Sequence, residues 1–214
     1  ELGFKRNNCT FASGVEWDKD EFRQNVDYKK ILQEQLMKIA LYYLDHPDIQ
    51  PVEMINMKFI AVAAGVNSMV DKLCGAGTIM RCWTPDGQCP PCHLFYEVSK
   101  EKGEKLGHID LSSPCHLSDT RCKNCILEPI CPTCYGGNYI TYGDVTKRDP
   151  YTCVITKIRA LASSWMIGQM LENPEKFRAL SELSNEELAM TAKGVILTQS
   201  FLEETGFMKE LQNG

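Results

Sequence analysis

At 214 residues, with 43% apolar and 24% charged content, the chain can bury a real core without disulfide staples, and its composition is that of an ordinary soluble globular protein. A net charge of −5 argues against a dedicated nucleic-acid surface, which needs clustered Lys and Arg. No stretch approaches the roughly eighteen uninterrupted apolar residues of a membrane span, and no signal peptide is expected.

Residue 1 is Glu, and Glu1-Leu2-Gly3-Phe4-Lys5 reads as a strand entered in mid-protein, as in a fragment, a processed chain or a split gene product. A polar loop follows to about residue 26. Asp27 is a candidate N-cap for a helix over 28–44, with Ile31, Leu32, Leu36, Ile39, Ala40, Tyr43 and Leu44 at helical spacing and His46-Pro47 as its stop. A second helix is expected from Pro51 through Met54, Met57, Phe59 and Ile60 to Ala64, ended by Gly65. Its methionines read as core filling rather than as a metal site.

From about residue 67 the chemistry changes. Ten of the eleven cysteines lie between Cys74 and Cys153. Residues 78–84 and 88–96 read as two strands of a hairpin turned at Pro85-Asp86-Gly87. The Lys100, Lys102 and Lys105 run alternates with Glu97, Glu101 and Glu104, as a solvated loop does. Residues 107–153 are rich in Gly, Pro, Asn, Asp and Cys with little periodicity, so bound metal is the expected means of ordering them. Helices return from 154: one amphipathic face over Ile155, Ile158, Leu161, Ala162, Trp165, Met166 and Met170 ends near Asn173-Pro174. A last helix opens on the capping box Ser184 and Glu187 and runs to about Thr205 before Gly206.

The densest cysteine run is Cys122-x2-Cys125-x5-Cys131-x2-Cys134, with Cys153 nineteen residues later. A Cys-x2-Cys turn directs both sulfurs inward, and two such pairs can close one tetrahedral zinc site or be shared between iron–sulfur clusters. Spacing alone leaves both open. The odd cysteine count and the clustering favour reduced, metal-binding thiols in the cytoplasm over a secreted disulfide framework.

Taken with Cys74-Gly75-Ala76-Gly77, Thr84-Pro85-Asp86-Gly87-Gln88-Cys89-Pro90-Pro91-Cys92 and Leu106-Gly107-His108-Ile109-Asp110, this pattern resembles the SPASM domain of radical S-adenosylmethionine enzymes over about residues 70–160. One departure is the final Cys131-x2-Cys134, where the family usually has x3. The resemblance, which is to the anaerobic sulfatase-maturase-like members, implies two auxiliary 4Fe–4S clusters. Cys122, Cys125, Cys131 and Cys153 would hold one. Cys74, Cys92 and Cys134 would hold the other, with Cys82 favoured over Cys89 as fourth ligand, or with an open iron for substrate. His93 follows a predicted ligand, where those maturases carry an acidic proton acceptor; a catalytic role there competes with the plainer reading of a histidine at a strand end. Cys9 and Cys115 read as buried thiols, and His108 and His116 as loop histidines. Tyr135-Gly136-Gly137 reads as a positive-φ turn that lets backbone approach a cluster.

The resemblance also implies an α+β fold: residues 1–68 as the end of a partial α/β barrel, 69–160 as the SPASM region with its hairpin and loops, and 161–214 as C-terminal helices. No Cys-x3-Cys-x2-Cys loop is present, so S-adenosylmethionine would be bound only through a missing N-terminal half or a partner chain. This chain alone is not expected to cleave it. A peptide or protein substrate is the family-level expectation, and the alternative is a non-catalytic zinc- or iron–sulfur-binding interaction module.

Overall fold

A computed structural model describes residues 28–65, 75–77, 80, 82–96, 111, 119–131 and 133–209. The chain forms two compact units, one within 1–68, 125–131 and 153–214, the other within 69–124 and 132–152. Helix accounts for 59% of the described residues and none of them is in a β-strand.

In the first unit, α1 (Tyr28–Asp45) turns Leu36, Ala40 and Tyr43 inward at helical spacing. Its end is tied off where His46 Nδ1 meets the Tyr42 carbonyl at 2.8 Å and its ring stacks on Tyr42 at 4.1 Å. Helix α2 (Phe59–Ala64) buries Phe59, Val62 and Ala63 and stops at Gly65, whose φ of 90° suits glycine. Between them the expected helix from Pro51 does not form. The backbone of 52–57 is held by side chains instead: Tyr43 Oη accepts from Val52 N–H at 3.2 Å, Ser163 Oγ accepts from Met57 N–H at 3.2 Å, and Arg159 Nε donates to the Met54 carbonyl at 2.8 Å. Two of these bonds satisfy groups that a helix would otherwise pair, the Met57 N–H and the Met54 carbonyl, so a chain with helical propensity stays non-helical.

The remaining helices of this unit are α4 (Pro150–Met170), which enters it at Cys153, and α5 (Asn185–Glu204). The α5 capping box is complete, with Ser184 Oγ accepting from Glu187 N–H and the Glu187 carboxylate accepting from Ser184 N–H. Leu36, Ile55, Phe59, Ile158, Met166, Met170, Val195 and Leu202 are among the residues of one buried core, with Leu127 and Ile130 from the 125–131 segment. Helices α2 and α5 meet where Gly194 faces Phe59: a Cβ at 194 would sit 1.9 Å from the Phe59 carbonyl oxygen.

In the second unit, α3 (Tyr135–Tyr142) ends on Gly143 in the left-handed region at φ 68°. Tyr135, Tyr139 and Val145 share a smaller core with Ala76, Cys92, Phe95 and Leu111. The α+β expectation fails here most clearly. The turn at Asp86-Gly87 is real: Gly87 has φ 80°, its N–H reaches the Thr84 carbonyl at 3.0 Å, and Thr84 N–H reaches the Gln88 carbonyl at 3.1 Å. No ladder grows from it, because Pro90 and Pro91 have no N–H to donate and residues 94–96 are helical. Residues 78, 79 and 81 of the proposed first strand, and the strand expected at 1–5, lie outside the described residues. Nor does the described part of 1–68 resemble the end of a partial α/β barrel; it is two helices packed on other helices, so the barrel is withdrawn with the hairpin.

No described helix is long and apolar enough to cross a membrane.

The α2–α5 contact makes a direct prediction. Gly194→Ala should cost about 3 kcal/mol, since the clash is with backbone that cannot rotate away. Gly168→Ala, whose Cβ would meet Val195 Cγ1 at 3.7 Å, should instead stabilise by about 0.5–1 kcal/mol through helix propensity. Urea midpoints of the two variants, measured side by side, check both signs.

Candidate metal centre

Three of the expected ligands share one neighbourhood in the first unit. Cys125 and Cys131 bracket a short 3-10 turn, Glu128–Ile130, whose flanking and inner residues Leu127 and Ile130 are buried in the core. Glu128 N–H reaches the Cys125 carbonyl at 3.1 Å and Cys131 N–H reaches the Glu128 carbonyl at 3.1 Å, so the loop between the cysteines is fixed by its own backbone bonds. Cys153 stands in the first turns of α4. That helix begins at Pro150, earlier than expected, because Asp149 Oδ1 accepts the Tyr151 N–H at 2.9 Å and proline is at home at a first helical position.

The Cys125 thiol feels both of the others. Burial pushes the Cys125 thiol above its ordinary value; the Leu127 backbone N–H and Lys157 oppose that rise, while Cys131 and Cys153 add to it. Arg159 is moved below its usual value by burial, with Cys131 acting in the opposite sense. Thus Arg159 feels Cys131, and Cys125 feels Lys157, whose Nζ also lies 5.1 Å from the centre of the Phe207 ring. Cys131 Sγ further donates to Thr156 Oγ1 at 3.5 Å. Three thiols and two cationic side chains thus belong to one unit. Among the described residues, no group of three or more His, Cys, Asp or Glu side chains could hold a single metal ion. A one-ion tetrahedral site needs sulfurs about 3.8 Å apart, from Zn–S bonds of about 2.3 Å.

The other expected ligands belong to the second unit. Cys82 is half-buried and Cys89 exposed, on either side of the Asp86-Gly87 turn. Cys92 is buried with Phe95 and Tyr135 in the smaller core. Cys134 caps α3, its Sγ accepting the Gly137 N–H at 3.4 Å. Gly136 and Gly137 are helical rather than positive in φ, which corrects the turn expected there. Their small size serves packing instead: a Cβ at 136 would lie 2.6 Å from Leu94 Cβ, and one at 137 would touch Cys134 Sγ at 3.4 Å. Cys122 closes the 3-10 turn Thr120–Cys122. None of the eight described cysteines is in a disulfide. His93 is exposed in the turn after Cys92. Cys74, Cys9, Cys115, His108 and His116 lie outside the described residues.

Sequence reasoning missed the group that orders the Cys122 turn. Asp119 is buried, and its carboxylate accepts from Arg121 N–H at 2.8 Å, from Arg121 Nε at 2.9 Å, from Arg121 Nη2, and from Arg148 N–H at 2.9 Å. Arg121 Nη2 also donates to the Arg148 carbonyl. The guanidinium of Arg121 holds the Asp119 carboxyl well below the usual carboxylate range, helped by both backbone N–H groups and opposed by burial. An aspartate two residues before an arginine and three before a cysteine is the only signal the sequence offered.

No family model, curated protein or solved structure matches this chain.

Because the folded Asp119 carboxyl is depressed, its contribution to stability is complete above the unfolded value of about 3.9 and drains away as pH falls below it. Asp119→Asn should lower stability at pH 7 by about 2 kcal/mol, the scale of charge-assisted hydrogen bonds. Its thermal midpoint should also fall less than the parent's between about pH 5 and pH 2.5. Parallel slopes for the two proteins would contradict the assignment.

Proposed function

We propose that this chain is a thiolate-ligated iron–sulfur protein, the auxiliary-cluster part of a peptide-modifying, maturase-like radical S-adenosylmethionine enzyme of the SPASM type. The single observation that carries the reading is the cysteine spacing Cys122-x2-Cys125-x5-Cys131-x2-Cys134 with Cys153, of which Cys125, Cys131 and Cys153 belong to one compact unit together with Lys157 and Arg159.

The residues present fit such a group. Thiolates are the ligands that iron–sulfur clusters take, and Cys125, Cys131 and Cys153 stand on a short loop and a helical turn of one unit. A cluster bound by thiolates carries net negative charge, and partly buried negative charge needs compensating cations nearby. Lys157 and Arg159 supply them. When bound, a 4Fe–4S cluster supplies a site for one-electron transfer, which in this reading accepts or relays an electron from substrate oxidation elsewhere. What the chain's own residues do is hold the sulfurs, exclude water from Cys125 and balance the charge. Reduced thiols in this number suit a cytoplasmic setting. The rest of the enzyme, or a partner chain, would carry the S-adenosylmethionine site.

Anaerobic reconstitution with iron and sulfide tests this reading. The expected product is brown, with about eight irons and about eight acid-labile sulfides per chain, as two 4Fe–4S clusters require. Replacing Cys125, Cys131 and Cys153 together with alanine should remove about half of each. The chain alone should release no 5′-deoxyadenosine from S-adenosylmethionine. A colourless protein that takes up zinc without sulfide would refute the reading in favour of a zinc-binding interaction module.

A further inference from the structure

We draw no further inference here: the strongest candidate, the exposed apolar patch of Leu41, Tyr42 and Ile49 at the C-terminal end of α1, carries none because nothing in the structure shows what covers it.

Discussion

The loop that carries Cys125 and Cys131 depends on two apolar side chains that have no chemistry of their own. Leu127 and Ile130 lie between Cys125 and Cys131, and burying them in the helical core fixes the loop that carries both sulfurs. Full burial of an aliphatic side chain stabilises by about 1.5–3 kcal/mol, so the pair offsets the backbone entropy of about three ordered residues, and the loop's own backbone bonds add to that. Metal was the expected organiser of this stretch. The described part of it also carries hydrophobic anchors, Leu127 and Ile130. A preorganised site binds with less ordering cost than one that must fold around its ligand.

The second unit uses a different constraint for a similar end. Here a buried carboxylate gathers the N–H groups of the Thr120–Cys122 turn and of Arg148, and a thiol stands in for the usual serine or aspartate as the cap of α3. Close packing adds to this: Gly136 admits Leu94 against the helix where any side chain would collide. The cysteines at 122 and 134 are therefore attached to structured backbone, not to loose loop.

Much of the helical framework was legible in the sequence. The 3.6-residue pattern through Leu36, Ala40 and Tyr43 marked α1 within a residue of its ends, and the Ser184–Glu187 box marked the start of α5. What failed did so for nameable reasons. Asp86-Gly87 correctly signalled a turn, but a turn does not make a hairpin when Pro90 and Pro91 remove the donors the second strand needs. Pro51 suits a helix start, but Tyr43, Ser163 and Arg159 capture the backbone that follows, and two of those three are over a hundred residues away. Of the four cysteines that the resemblance groups, Cys125, Cys131 and Cys153 fall in one unit and Cys122 in the other. Thr156 and Lys157 were readable in principle, at three and four residues from Cys153, once the helix was known to begin before that cysteine. Asp119 was not, because its partner Arg148 is distant in the chain.

The claim that everything else serves is that Cys125, Cys131 and Cys153 bind one and the same inorganic core. The most direct measurement is residue-resolved thiol alkylation, read by mass spectrometry, before and after anaerobic loading with iron and sulfide. The three should become protected together, in step with iron uptake, and be released together by a chelator. Protection of one or two while exposed Cys153 stays as reactive as in the unloaded chain would contradict it.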